Sequence, residues 1–148
     1  MQTNIVIGSD HAGFELKEKF KKYLSENAYN VVDVGTISTE SCDYPDIAQN
    51  LALYIKEHPE TVGVLICGSG IGMSMAVNRY SFIRGALLYN MDVAKLSREH
   101  NNANVAIFGA RMFDHETNLG FLQAFLETNF SDDERHKRRI KKLGNMCE

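Results

Sequence analysis

The chain has 148 residues, the length of one domain or of two very small ones. Hydrophobic residues form 44% and charged residues 24% of it, an average globular composition that argues against disorder, collagen and coiled coil. The net charge of −3 is unevenly spread, because residues 1–134 carry −8 and residues 135–148 carry +5. The basic end is a solvated tail, an anion site or a nucleic-acid patch.

Short apolar runs alternate with segments of helical periodicity along the chain. The apolar runs predict strands at 5–7, 31–34, 62–66, 83–88 and 105–108. The periodic segments predict helices at 13–26, 46–57, 70–79, 91–100, around 119–126 and 131–146. Strands that alternate with helices of this length are typical of βαβ units with a parallel sheet. We therefore predict one three-layer α/β/α, Rossmann-like domain over 1–148, with a five-stranded parallel sheet and an extra C-terminal helix.

The last helix has a recognisable start. Ser131 followed by Glu134 has the spacing of a capping box, and acidic residues in the first turn suit the positive end of the helix dipole. Arg135 and Arg139 are four residues apart and therefore share one face. An ordered basic helix over 131–146 fits this pattern better than a mobile tail.

Polar residues collect where the predicted strands end, and ligands of open parallel sheets bind at the carboxyl ends of the strands. The set comprises Ser9, Asp10, His11, Cys67, Gly68, Ser69, Gly70, Ile71, Gly72, Tyr89, Asn90, Asp92, Gly109 and Arg111, with His100 and Asn101 just before the fifth strand. We expect these residues and several arginines to meet at one edge of the sheet.

The segment Gly68–Gly72 is the strongest local signal in the chain. Three glycines at alternate positions let the backbone approach a ligand closely, and the helix that follows presents free N–H groups to an anion. A dinucleotide fingerprint would need glycine at Met73, a cysteine phosphatase would need arginine there, and a P-loop would need Gly-Lys-Ser/Thr. A tight turn without a ligand stays the alternative.

Cys67 lies between the third strand and this loop, where a helix N-terminus favours thiolate over thiol. It is a candidate reactive sulfur, although a cysteine at this position can also be a small core residue. His11 and His100 are candidate functional imidazoles, with a structural role open for each. The Cys and His spacings match neither a structural zinc site nor a paired-histidine metal motif. We therefore expect chemistry without a metal or other cofactor.

Six segments together resemble the type B ribose-5-phosphate isomerases, a sugar-phosphate isomerase family that includes the galactose-6-phosphate isomerase subunits. These segments are Gly8–Phe14, Asp43–Pro45, Cys67–Gly72, Ser97–Asn101, Phe108–Arg111 and Arg135–Arg139. They occur in the family's order and cover nearly the whole chain. The resemblance implies an aldose–ketose isomerase that interconverts ribose 5-phosphate and ribulose 5-phosphate through a cis-enediol(ate) without a cofactor.

The resemblance also implies residue roles. Cys67 is the base that moves the proton between C2 and C1, and the glutamate of another family branch is replaced here by Met73. His100 opens the furanose ring as an acid. The residues implied in substrate binding are Asp10, His11, Tyr44, Gly68, Ser69, Gly70, Ile71, Gly72, Asn101, Arg111, Arg135 and Arg139, the last two at the phosphate.

The family forms dimers and sometimes tetramers with shared active sites, so the resemblance implies a homodimer or tetramer that binds a phosphorylated sugar. A hexose-6-phosphate isomerase (galactose 6-phosphate or allose 6-phosphate) and a non-catalytic phosphate-binding module stay open. Overall acidity and the lack of interleaved aromatics argue against nucleic acid. No apolar run approaches the ~18 residues of a membrane span. No secretory signal is visible, and three cysteines at unpatterned spacing favour a reduced, cytoplasmic setting.

Overall fold

The computed structural model describes residues 3–145, in which five strands alternate with five helices and a sixth helix follows. The strands are β1 (Asn4–Ser9), β2 (Asn30–Asp33), β3 (Val62–Cys67), β4 (Gly85–Leu87) and β5 (Val105–Gly109). The helices are α1 (Phe14–Glu26), α2 (Tyr44–Glu57), α3 (Ile71–Val77), α4 (Met91–Glu99), α5 (His115–Glu127) and α6 (Glu134–Gly144). The predicted fold class, a single α/β domain with a five-stranded parallel sheet and an extra C-terminal helix, is confirmed.

The five strands are all parallel and lie in the order β2-β1-β3-β5-β4. Helices α1, α4 and α5 pack on one face of the sheet, and α2 and α3 pack on the other. Covering both faces buries the central strands, which explains why β3 and β5 are continuous apolar runs rather than alternating ones.

Strand β4 is shorter than the predicted 83–88. The backbone N–H of Arg84 donates to the side-chain oxygen of Asn104 at 2.7 Å rather than to a neighbouring strand. The strand ladder therefore begins at Gly85, while the N–H of Leu88 still donates to the carbonyl of Ile107 at 2.9 Å. A side chain from the neighbouring loop thus decides where this edge strand starts.

The last helix begins later than predicted. Asp132 has a φ of 61°, a left-handed conformation that interrupts a helix. Asp133 is the N-cap instead, because its carboxylate accepts a hydrogen bond from the N–H of Arg135 at 2.8 Å. The predicted capping box at Ser131 is therefore wrong, and the helix starts at Glu134. The predicted end of this helix lies outside the described residues.

Candidate active site

The strand order reverses between β1 and β3, and the loops after these two strands lead to helices on opposite faces of the sheet. Such a reversal leaves a crevice at the carboxyl ends of the strands, where open α/β sheets bind ligands. Three segments meet there, 9–13 after β1, 67–72 after β3 and 109–112 after β5. We call these segments together the carboxyl edge.

Cys67 ends the central strand β3, and its side chain is almost fully buried, with 4% exposure. Its Sγ accepts a hydrogen bond from the backbone N–H of Gly70 at 3.2 Å, so the loop folds back over the sulfur. An N–H group aimed at sulfur places partial positive charge beside a thiolate, the form of cysteine that accepts a proton. The geometry suits a base that works next to a ligand held by the same loop.

Gly70 has a φ of +79°, and a Cβ at this position would lie 2.5 Å from the Leu87 side chain and 3.1 Å from the Phe108 carbonyl carbon. Both the backbone conformation and the lack of space require glycine here. The Ser69 hydroxyl oxygen accepts a hydrogen bond from the N–H of Ile71 at 3.2 Å. The loop therefore holds one defined conformation with its backbone close to the crevice.

Tyr44 is the first residue of α2, and its ring lies directly over Gly72. A Cβ at Gly72 would approach the Tyr44 ring to 2.6 Å, so only glycine allows this contact. The tyrosine is 38% exposed and borders the loop. The predicted pocket-edge residue is thus in contact with the predicted loop.

Arg111 lies across the loop from the other side. Its backbone N–H donates to the carbonyl of Gly68 at 2.9 Å, and the N–H of Ala110 donates to the carbonyl of Cys67 at 2.9 Å. A Cβ at Gly68 would lie 3.4 Å from the Arg111 guanidinium. The side chain is exposed, and its charge makes no ion pair within residues 3–145. It therefore gives the carboxyl edge a positive charge.

Asp10 and His11 complete this edge next to Cys67. Ser9 pairs with Ile66, so the residues that follow them, Asp10 and Cys67, lie side by side at the ends of adjacent strands. Asp10 is 6% exposed, and its Oδ1 accepts a hydrogen bond from the backbone N–H at the start of α1, at 3.1 Å. The Nδ1 of His11 accepts a hydrogen bond from the N–H of Cys42 at 3.2 Å.

His100 and Asn101 lie at the other end of the sheet. Helix α4 starts beyond the carboxyl end of β4 and runs back, so its C-terminal end reaches the amino end of β5. Asn101 accordingly lines a cleft of about 960 Å³ together with Arg84 and Gly85, at the amino end of β4. We call His100, Asn101 and helix α6 together the amino edge.

His100 is stacked on His136 of α6, with ring centroids 4.4 Å apart. His136 is 8% exposed, and its Nδ1 lies 3.2 Å from the hydroxyl of Ser131. The N–H of Ser131 donates to the carbonyl of Glu99 at 3.0 Å, which ties the start of α6 to the end of α4. These contacts place the whole start of α6 at the amino edge.

Arg135 and Arg139 are exposed on α6, four residues apart. The Nε of Arg135 lies 3.9 Å from the carboxylate of Asp133, an exposed pair that contributes little to stability. The backbone N–H of Arg135 lowers the pKa of Asp133, so this N-cap is ionised at neutral pH. The guanidinium groups therefore face solvent from the amino edge.

Two half-buried arginines hold the turn that carries His100. The Nε of Arg84 donates to the carbonyl of Asn102 at 2.8 Å, and the Nη1 of Arg98 donates to the side-chain oxygen of the same residue at 3.1 Å. Burial lowers the pKa of both arginines. Asn102 has a φ of 45°, and the two arginines stabilise this left-handed turn from both sides.

The expectation that all candidate residues meet at one edge is wrong within a single chain. The carboxyl edge and its border hold Asp10, His11, Tyr44, Gly68, Ser69, Gly70, Ile71, Gly72, Cys67 and Arg111, and the amino edge holds His100, Asn101, Arg135 and Arg139. The reason is chain direction, because a residue that precedes a parallel strand lies at the opposite end of the sheet from a residue that follows one.

Two fully buried polar residues near the carboxyl edge were outside the predicted candidate set, Lys17 of α1 and Asn118 of α5. The Nδ2 of Asn118 donates to the carbonyl of Gly109 at 3.3 Å. The sequence carries a signal for both residues. Lys17 precedes Phe20 by one helical turn, and Asn118 precedes Phe121 by one turn. Each therefore lies on the apolar face of its helix, where a hydrophobic residue is expected.

Within residues 3–145, no three His, Cys, Asp or Glu side chains cluster closely enough to hold a metal ion. Cys42 and Cys67 have free thiols. None of the helices in this described part combines the length and the apolar character needed to cross a membrane. The expectation of chemistry without a metal or cofactor stays a prediction.

The sequence matches the ribose/galactose isomerase family over residues 5–143. It is 37% identical over 139 residues to ribose-5-phosphate isomerase B of Escherichia coli, covering 94% of this chain and 93% of that protein. A ribose 5-phosphate isomerase structure from Thermotoga maritima has a TM-score of 0.94 and 44% identity, covering 99% of this chain and 100% of that one. The type B ribose 5-phosphate isomerase structure from Trypanosoma brucei has a TM-score of 0.93 and 37% identity, covering 98% of this chain and 99% of that one. The chain therefore belongs to the ribose/galactose isomerase family.

Proposed function

We propose that this chain is an aldose–ketose isomerase that interconverts D-ribose 5-phosphate and D-ribulose 5-phosphate through a cis-enediol(ate). The family match over nearly the whole chain and the names of its relatives support this substrate. The observation that carries the proposal is the buried thiol of Cys67 beneath the N–H of Gly70, at the point where the strand order reverses.

The reaction needs a base that takes a proton from C2 of the open-chain aldose and returns it to C1. We assign this role to Cys67 in its thiolate form. As the proton leaves carbon, negative charge moves from the sulfur to the enediolate oxygens, and a second proton shifts between O1 and O2. The N–H of Gly70, 3.2 Å from Sγ, stabilises the charge on sulfur before the transfer.

The loop from Gly68 to Gly72, which includes Ser69 and Ile71, lies beside this base. Its conformation is set before a substrate binds, because Gly70 tolerates no side chain and Gly72 is covered by Tyr44. Backbone N–H groups fixed in this way stabilise charge that develops on substrate oxygens, and one such donor is worth about 3 kcal/mol in other enzymes. We therefore propose that the loop binds the enediolate, with Asp10 and His11 on the neighbouring strand end.

Ring opening requires an acid, and we assign it to His100, with Asn101 as a ligand of the sugar oxygens. Within one chain these residues lie across the sheet from Cys67. We therefore propose a homodimer in which the amino edge of one protomer faces the carboxyl edge of its partner. A tetramer would contain the same pair.

The phosphate group needs local positive charge on a largely acidic protein. Arg111 provides it at the carboxyl edge, and Arg135 and Arg139 provide it from α6 of the amino edge. Arginine presents parallel N–H donors to phosphate oxygens, and binding energy gained at the phosphate can hold the reacting carbons against the base. We propose that these three arginines bind the phosphate.

A hexose 6-phosphate is the alternative substrate. The relatives described above are named for ribose 5-phosphate rather than for galactose 6-phosphate or allose 6-phosphate, which supports the pentose. A non-catalytic phosphate-binding module would have no use for a buried thiol beneath the glycine loop. The isomerase therefore accounts for more of the site.

A coupled assay of the purified protein with ribose 5-phosphate, galactose 6-phosphate and allose 6-phosphate tests the proposal. We expect the highest kcat/KM with ribose 5-phosphate and the same rate with and without a chelator. A higher kcat/KM with galactose 6-phosphate or allose 6-phosphate would show that the substrate is a hexose 6-phosphate. Turnover that a chelator abolishes would contradict metal-free chemistry, and no turnover of any sugar would favour the binding module.

A further inference from the structure

Lys17 lies on α1, just after the loop that carries Asp10 and His11, and its side chain has 0% exposure. Burial takes the ammonium group out of water, which is unfavourable unless hydrogen bonds and an opposite charge replace its hydration. The proposed mechanism uses no atom of Lys17. A charge buried so close to the crevice therefore calls for an explanation.

The ammonium group of Lys17 has two oxygen partners from the loop after β2. Its Nζ lies 2.9 Å from the Oδ1 of Asp33 and also donates to the carbonyl of Thr36. The other carboxylate oxygen of Asp33 binds Lys21 at 2.9 Å. Burial opposes the ionised form of Asp33, but hydrogen bonds from Lys21, Lys17 and the N–H of Gly35 together lower its pKa. Asp33 is therefore ionised at neutral pH.

This loop is tied to the end of β1 by two backbone hydrogen bonds. The N–H of Ser9 donates to the carbonyl of Gly35 at 2.8 Å, and the N–H of Thr36 donates to the carbonyl of Ser9 at 2.8 Å. The carbonyl of the same Thr36 accepts from Lys17. Lys17 thus holds the loop from inside the protein, and the loop in turn holds the residue immediately before Asp10.

The same segments also meet at His11. Farther along the loop, the N–H of Cys42 donates to the Nδ1 of His11 at 3.2 Å. On the helix side, the N–H of Lys17 donates to the carbonyl of Gly13 at 2.9 Å, and the N–H of Gly13 donates to Asp10 at 3.1 Å. Lys17 therefore connects to Asp10 through its backbone, and through its side chain to the loop that binds Ser9 and His11.

We propose that Lys17 is a positioning residue for the substrate-binding wall formed by Asp10 and His11, acting through Asp33 and Thr36 without touching the sugar phosphate. Its kinetic consequence rests on the proposed function. Lysine suits this place because an apolar stem can cross the core while one ammonium group supplies several donors. A displaced wall weakens contacts that the substrate makes in the ground state and the transition state alike, and the loss of such contacts raises KM with little change in kcat.

Lys17→Met tests the proposal, because methionine fills the space of the stem and removes the ammonium group. We expect KM for ribose 5-phosphate to rise about tenfold while kcat changes less than about threefold. In spectra of ¹⁵N-histidine-labelled protein, the His11 ring signals should shift. Lys21→Met is the matched control, since Lys21 binds the same carboxylate but is partly exposed and does not contact Thr36. It should leave KM within about twofold and the His11 signals unchanged.

Asp33→Asn provides a second variant of nearly the same size. It should also raise KM, and the double variant with Lys17→Met should raise KM no further, because both changes act through one pair. If Lys17→Met does not fold, the KM of Asp33→Asn tests the proposal in its place. An unchanged KM in a folded Lys17→Met protein, or an equal rise in Lys21→Met, would overturn the proposal. A wild-type protein without isomerase activity would overturn the proposed function alone, and the His11 signals would then decide on positioning.

Discussion

The carboxyl edge and the amino edge of the sheet are built in different ways. At the carboxyl edge, strand ends and a tight glycine loop bury Cys67 and Asp10, at 4% and 6% exposure, while Arg111 stays exposed. At the amino edge, the C-terminal end of α4 presents His100 to solvent, and α6 presents Arg139. Proton transfer from carbon benefits from a dry, preorganised site. The carboxyl edge has that character by itself, whereas the amino edge needs another surface to cover it.

The strongest test of this difference is Cys67→Ala, which removes the proposed base from the carboxyl edge. We expect kcat to fall about 10³-fold, because general-base catalysis contributes factors of this order. Calorimetry should still detect binding of a sugar phosphate within about threefold of wild type, because the alanine variant keeps the phosphate ligands. Cys42→Ala, at a second free thiol among residues 3–145, is the control and should retain its kcat. Normal turnover by the Cys67 variant would exclude the thiol as the base.

Gly70→Ala tests whether the geometry of the carboxyl edge matters apart from its thiol. The added Cβ would meet Leu87 at 2.5 Å in a left-handed backbone, and that backbone alone costs about 1–2 kcal/mol for alanine. We expect kcat to fall about 300-fold, in line with the loss of oxyanion donors, and Tm to decrease. Gly120→Ala in α5 is the control, since its Cβ would meet only Met91 at 3.9 Å. If the Gly70 variant has a lower Tm but the kcat of wild type, the geometry of this loop does not contribute to catalysis.

Mixing two inactive proteins tests whether the two edges come from different protomers. His100→Asn should lower turnover of the cyclic sugar about 100-fold, as expected for loss of a general acid. When it is refolded together with Cys67→Ala, half of the dimers are mixed, and each has one intact site of two. We expect recovery of about a quarter of wild-type activity for a shared two-fold interface. No recovery, in a sample that mass spectrometry shows to be mixed, would place both residues in one protomer's site.

The smallest expected effect concerns the pH dependence of stability beside the carboxyl edge, at Asp33. Hydrogen bonds from Lys21 and Lys17 lower the pKa of Asp33 despite its partial burial. Its contribution is therefore present above the ordinary pKa of aspartate and is lost as the pH falls through the lowered value. We expect urea unfolding at pH 7 and pH 3 to show a smaller loss of stability for Asp33→Asn than for wild type. Glu60→Gln serves as an exposed control, and identical pH dependence in wild type and Asp33→Asn would contradict the effect.

Much of the fold could be predicted because periodicity is a local property. Apolar runs and helical spacing predicted the order of strands and helices, and the observed elements confirm it. The strand order could not be predicted in the same way, because pairing joins segments that are distant in the chain. Two of the boundaries that differ, at β4 and at the start of α6, depend on the Asn104 side chain and on the left-handed Asp132.

The sequence of this protein by itself determined the α/β alternation, the position of Cys67 at a strand end and the glycine loop after it, because strand ends and glycine turns follow from neighbouring residues. The sequence also showed that His100 precedes the fifth strand. The prediction nevertheless grouped His100 with Cys67, because it considered side-chain type and not chain direction. Tertiary structure decided that His100 lies across the sheet from Cys67 and that Lys17 is buried against Asp33. The reason is physical, because burial and distance depend on chain direction and on packing between remote segments.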